Sequence, residues 1–288
     1  MRLDDMEGSG NIEDRRGSRM PGGRAGGIGL AGLVVVGQIS WATGIDPRLL
    51  LSGAEMLSGG STTQQQQQQG TRGRPTDQAG HFVAQVLQST EIVWTDIFRT
   101  AGRSYRKPVL VLYAGGTRTA CGVGQAAMGP FYCPNDQQVY LDTSFFNELA
   151  RRFHAPGQFA EAYVIAHEIG HHVQNQLGIL PQVDKARARA SKTAANQLSV
   201  RLELQADCFA GVWANRANAA GRLDPGDVQQ ALAAASAIGD DRLQRQSQGY
   251  VVPDSFTHGT SAQRVHWFQA GLAGGDIKAC NTFAGANP

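Results

Sequence analysis

The chain has 288 residues, 41% hydrophobic and 17% charged, the make-up of a globular core with some tail rather than of a fibrous or wholly disordered protein. Its formal charge is only +2 and its basic residues are scattered, which argues against a nucleic-acid partner. The four cysteines, Cys121, Cys133, Cys208 and Cys280, form no C-x-x-C pair, which argues against a zinc ribbon.

In chain order, residues 1–25 are polar, charged and Gly-rich, with Arg15, Arg16, Arg19 and Arg24 late in the stretch, and are expected to be a disordered leader. Residues 26–45, GGIGLAGLVVVGQISWATGI, carry no charge and match the length of one membrane crossing. They read as an uncleaved anchor helix, with the preceding arginines cytoplasmic and the rest of the chain on the other side. Residues 46–77 contain a run of six glutamines among Gly, Ser and Thr, and read as a linker. The folded domain is then expected over residues 78–288. It opens with helical spacing at Phe82, Val83, Val86, Val93, Ile97 and Phe98.

Two short β-type runs follow, PVLVLY at 108–113 and QQVYLD at 137–142. Between them Cys121 and Cys133 bracket a Gly-rich segment that reads as a hairpin loop, which a disulfide would close in an oxidising compartment; unpaired thiols are the alternative. A Cys208–Cys280 pair has no local support. Helices are expected from Thr143 or Ser144, over 158–178 with Gly178 and Pro181 as stop signals, over 193–217, from Asp224 as N-cap with Pro225 next, and from Ser261. The sum is an α+β domain, mostly helical, with a small antiparallel sheet.

The chemical signal is His167-Glu168-Ile169-Gly170-His171. Residues i and i+4 share a helix face, so the two imidazoles can bind one zinc ion. The glutamate between them can take the proton of a zinc-activated water, whose pKa falls to about 7. Ala162, Ala166, Ile169 and Val173 form an apolar stripe that packs this helix inside a domain. A catalytic zinc takes three protein ligands and keeps a position open. Glu203, on the next long helix, is the candidate for the third. Asp207 lies one turn beyond it, where it can accept a ligand histidine's N–H. Both sit among Leu202, Leu204, Ala206, Cys208 and Phe209. His172 must point about 100° away from His171, toward solvent or the ligands' surroundings, and His81, His154 and His266 have no partner pattern. A di-iron bundle needs a second Glu-x-x-His, but Glu91, Glu148, Glu161 and Glu203 precede Trp94, Arg151, Val164 and Ala206 at that spacing.

HEIGHHVQN followed by ELQADCFAGVWAN resembles the bacterial neutral zinc metallopeptidase family, membrane-anchored peptidases. MGPFYCPNDQQVYLDTSFF, DSFTHGTSAQRVHWFQAGL, NIEDRRG and DPRLLL extend the resemblance over most of the chain. It implies a zincin-like domain, one zinc ion per chain, a polypeptide substrate, and a single-pass protein of the bacterial inner membrane with its catalytic domain outside the cytoplasm. HExxH followed by E-x-x-A-D is also similar to gluzincins, which implies Glu203 as zinc ligand and Asp207 as its neighbour's support. The His and Arg that such proteases carry near their C-terminus correspond to His258 and Arg264, although Gly259 stands where those relatives often have proline. That likeness implies His258 as a stabiliser of the oxyanion and Arg264 as a residue positioning the site or a substrate carboxylate; a capping role is the plainer reading of His258. Gluzincins also bind substrate along a sheet edge, which points to QQVYLD or the segment just before it. Beside an active endopeptidase stand two other readings: a weakly active zinc-binding scaffold, which has no need of Glu168, and a peptidoglycan amidase, for which no wall-binding segment is recognisable.

Overall fold

The computed structural model describes residues 1–18, 70–126 and 129–284. It is a mixed α+β fold in which helices dominate. Strand β1 (Ile12–Asp14) and β2 (Thr71–Arg72) precede helix α1 (Gln78–Thr100). Strands β3 (Val109–Tyr113), β4 (Gly116–Thr119), β5 (Gly122–Gln125), β6 (Phe131–Cys133) and β7 (Gln138–Asp142) follow. Then come α2 (Ser144–Arg151), α3 (Gln158–Leu177), α4 (Ile179–Arg187), α5 (Lys192–Ala219), α6 (Asp227–Ala237), α7 (Asp240–Gln248) and α8 (Ser261–Gly274).

The main sheet has the order β2-β1-β3-β7-β6, and β4–β5 is a separate hairpin. The sheet is not purely antiparallel as expected: β1–β3 and β3–β7 are parallel, and only β1–β2 and β6–β7 are antiparallel. Parallel neighbours need a crossover, and α1 provides it between β1 and β3. Residue alternation along β3 divides the core. Leu110 and Leu112 join the large helical core, whereas Val111 and Tyr113 pack with Cys133 and Tyr140 on the other face. In the large core Trp94 meets Phe209 edge-on at 5.5 Å and Phe159 stacks on Trp213 at 5.6 Å, which pins α1, α3 and α5 together.

The leader is corrected over residues 1–18, which fold. Leu3, Met6 and Ile12 are buried in the main core. Gln85 Nε2 donates to the carbonyls of Leu3 and Met6 at 2.8 and 3.0 Å. Ser9 and Asn11 donate to Glu91 Oε1, and Arg16 bridges Asp14 to Asp77, the N-cap of α1. Three apolar side chains spaced among charges suffice here because the rest of the domain supplies the surface they cover. The expected start of the domain at residue 78 moves likewise, since β2 pairs with β1.

This pairing also corrects the membrane placement. Residues 26–45 lie outside the described residues, and among the described residues no helix is long and apolar enough to cross a membrane. A single crossing there would put residues 12–14 and 109–113 on opposite faces, yet β1 and β3 are hydrogen-bonded neighbours. The single-pass inner-membrane arrangement is therefore dropped.

Helix ends follow local chemistry. Gly178, in the left-handed region at φ 78°, closes α3 and α4 begins at once. Pro181 does not stop a helix but sits in the first turn of α4, where a missing N–H costs nothing. α6 starts at Asp227, later than Asp224, because Pro225 and Gly226 form a turn before it. α7, DDRLQRQSQ, is too polar to show an apolar period.

Two close helix contacts set the site's geometry. A Cβ on Gly170 of α3 would lie 3.0 Å from the carbonyl oxygen of Ala206 on α5. His167 and His171 flank Gly170, and Glu203 and Asp207 flank Ala206, so this approach brings the four together. Gly211 of α5 and Gly271 of α8 also meet backbone to backbone: a Cβ on either would lie 2.1 or 2.0 Å from a carbonyl oxygen of the other helix. Asp207 is one turn from Gly211 and Arg264 two turns from Gly271, on the contacting faces.

Candidate metal centre

His167 and His171 project from one face of α3 with ring centroids 4.8 Å apart. Glu203 reaches them from α5. Its Oε2 lies 3.1 Å from His167 Nε2 and its Oε1 3.5 Å from His171 Nε2. One ligand atom from each residue falls within 4.8 Å of the others, and among the described residues this is the group that could hold a metal ion.

The surroundings fix which ring nitrogens face the cluster. His167 Nδ1 lies 2.8 Å from Asp207 Oδ1, a carboxylate oxygen that only accepts, so Nδ1 carries a hydrogen and Nε2 is the nitrogen turned to Glu203, with a lone pair to offer a metal when the ring is neutral. His171 Nδ1 lies 2.9 Å from Gln174 Oε1. Gln174 Nε2 donates to Leu202 O at 2.7 Å and to Gln205 Oε1 at 3.1 Å, which leaves Oε1 as the acceptor for His171. Both histidines thus present Nε2. Two imidazole nitrogens and a carboxylate are a donor set that fits zinc.

Asp207 is fully buried and held by Arg264, which donates through Nε at 2.8 Å to Oδ2 and through a terminal nitrogen at 2.9 Å to Oδ1. Tyr163 OH donates to the same Oδ1. Burial would raise the Asp207 pKa, but Arg264 and His167 outweigh it and hold the carboxyl at about 2. Arg264 is itself buried, with Asp207 as its partner, and it borders the cleft. Burial raises the Glu168 carboxyl above the usual carboxylate range, while the two imidazoles pull the other way.

His172 is buried rather than solvated. Its Nδ1 lies 3.1 Å from Tyr132 OH and its Nε2 2.7 Å from the carbonyl of Arg106, and burial lowers its pKa to about 4. Asn175 also donates to Tyr132 OH, so α3 is tied to β6. Cys121 is bonded to Cys133, and Cys208 to Cys280. The first bond fastens the turn of the β4–β5 hairpin to β6; the second ties the C-terminal turn to α5 beside Asp207.

A cleft of about 1060 Å³ opens on the cluster. His167, Glu168, His171 and Glu203 line it together with the β4–β5 hairpin, β6, α7 and His258. His258 does not cap α8, because Thr260 does so in a reciprocal capping box with Gln263. QQVYLD, as β7, is internal to the sheet, and β6 just before it is one of the two edge strands, the other being β2.

Tyr163, Gln174 and Asp240 were not singled out by the sequence. Tyr163 and Gln174 carry a weak signal, lying four residues before His167 and three after His171 on the helix. Asp240 carries none. Removing the Gln174 acceptor by Gln174→Met should weaken zinc binding about 10- to 100-fold with the fold retained. Competition with a chromogenic chelator reads this, and an unchanged affinity would mean that packing alone orients His171.

A family model described as "Putative neutral zinc metallopeptidase" matches residues 1–283. The chain belongs to this family. Protein YpfJ of Escherichia coli (strain K12) is 48% identical over 296 residues, covering 98% of this chain and 99% of that one. Protein Mb2605 of Mycobacterium bovis and protein Rv2575 of Mycobacterium tuberculosis (strain H37Rv) are each 43% identical over 210 residues, 69% of either chain. All three are described only as uncharacterized proteins. No solved structure matches. The family match includes the folded leader, in line with residues 1–18 being part of the domain.

Proposed function

We propose that the chain is a zinc-dependent endopeptidase with a zincin-like active site. The observation that carries this reading is the convergence of His167 Nε2, His171 Nε2 and the Glu203 carboxylate at the floor of an open cleft, with Glu168 beside them. His167, His171 and Glu203 would hold one zinc ion per chain. Zinc, when bound, polarises the scissile carbonyl and makes water a nucleophile near neutral pH.

The remaining chemistry belongs to this chain's side chains. Glu168 accepts the proton of the attacking water and returns it to the departing amine. His258, on the cleft wall, donates to the oxyanion of the tetrahedral adduct. An extended polypeptide pairs with the outer edge of β6, whose Phe131 and Tyr132 line the cleft. The disulfide at Cys133 and the Tyr132 contacts to α3 fasten that edge to the hairpin and to the helix that carries His167 and His171.

The test is zinc content of the full chain beside Glu203→Ala, with casein hydrolysis on the same samples. The full chain is needed because a fragment starting near residue 75 lacks β1 and β2. About one zinc per wild-type chain, lost with Glu203, together with cleavage by wild type alone, supports the reading. Zinc kept without Glu203 would mean a different third ligand. Normal zinc with no hydrolysis would move the reading to a zinc-binding scaffold.

A further inference from the structure

The loop that carries His258 is held by one carboxylate. Asp240, the first residue of α7, is 8% exposed. Its Oδ2 accepts from the backbone N–H groups of Thr257, His258 and Gly259 at 2.7, 2.6 and 3.1 Å. Its Oδ1 lies 3.2 Å from His258 Nδ1, and its own N–H donates to Gly259 O at 2.9 Å. The next residue repeats the device: Asp241 Oδ1 accepts from the N–H and hydroxyl of Ser261 at 2.7 and 2.9 Å. Gly239 packs against Ser261 so closely that a Cβ would lie 2.4 Å from its nitrogen. The start of α7 and residues 257–261 are therefore one clamped unit on the cleft wall.

An ionised carboxylate accepts and does not donate, so the ring nitrogen facing Asp240 is Nδ1–H. Nε2 is then the polar atom His258 has left for the cleft.

We propose that Asp240 is a positioning residue for the reaction, holding the His258 loop by its backbone and the His258 ring by Nδ1 so that Nε2 meets the substrate. The assignment rests on the peptidase reading and on His258 acting within it. It places no demand on Asp240 touching substrate or metal. The geometry parallels that at His167, where a second buried aspartate takes Nδ1–H and aims Nε2.

The test uses the zinc-loaded full chain as wild type, Asp240→Asn, His258→Ala and the double variant. Asparagine keeps an oxygen for the backbone N–H groups but turns an amide N–H toward His258, so the loop is retained and the ring contact reversed. In Asp240→Asn, kcat for a quenched peptide substrate should fall about 10- to 100-fold, the scale of losing a partner that orients an active group, with KM, zinc content and Tm close to wild type. The double variant should be no slower than His258→Ala alone, because residues acting through one group do not add. Long-range ¹⁵N–¹H spectra should show His258 Nδ1 protonated in wild type and not in Asp240→Asn, a readout independent of turnover. Multiplying losses in the double variant, wild-type kcat in Asp240→Asn, or an unprotonated Nδ1 in wild type would each overturn the proposal. A wild-type chain that holds zinc, shows the expected His258 spectrum and cleaves nothing would instead sink the peptidase reading, and the catalytic part of this proposal with it.

Discussion

Glu168→Gln should bind zinc as wild type does and hydrolyse casein about 10²- to 10⁴-fold more slowly. Glu168 lies between the ligand histidines in sequence but is not one of the converging atoms. Glutamine fills nearly the same buried volume and still accepts a hydrogen bond, so the cleft floor is not emptied. What it cannot do is hold the proton taken from water. The loss should therefore fall on kcat, with KM and zinc content little changed. Loss of zinc would show that Glu168 helps to hold the metal. Undiminished hydrolysis would remove it as the base and would point to water activated without a protein carboxylate.

Arg264→Met should have the largest effect on stability. Arg264 is 3% exposed and forks onto Asp207, which is fully buried. The substitution leaves an anion in the core with Tyr163 OH and His167 Nδ1–H as its remaining donors. Breaking a buried pair in this way costs about 3–5 kcal/mol. For a chain of this length that is a fall in Tm on the order of 10 °C. The measurement belongs on protein stripped of metal by a chelator, because zinc bound to the native state adds stability of its own. Adding Asp207→Asn to Arg264→Met should recover part of the loss by removing the stranded charge. Equal Tm values for the single and double variants would place the cost in lost packing around the arginine stem instead.

The pairing of His167 with His171 was legible because a helix repeats every 3.6 residues, so HExxH spacing alone puts two imidazoles on one face. Glu203 and Asp207 were legible for a related reason: two carboxylates one turn apart among buried apolar neighbours need partners. The strands at 109–113 and 138–142 and most of the helices also follow from local pattern. The leader did not, because composition averages away Leu3, Met6 and Ile12, whose burial depends on surface offered by α1 and β3. The membrane reading failed at the same point. An uncharged stretch has the length of a crossing whatever flanks it, and only the pairing of β1 with β3 shows that both flanks lie on one side.

By itself, then, the sequence determined the family, the candidate metal-binding cluster of His167, His171 and Glu203, and the main helices, since these depend on spacing within one or two elements. Tertiary structure alone decided the parallel pairings, the identity of the edge strand, the tautomers set by Asp207 and Gln174, and the grip of Asp240 on His258. Apart from Gln174, which lies one turn from His171, these join residues of different elements, and such contacts depend on how the elements pack, as at Gly170 and Gly211, which no local period records.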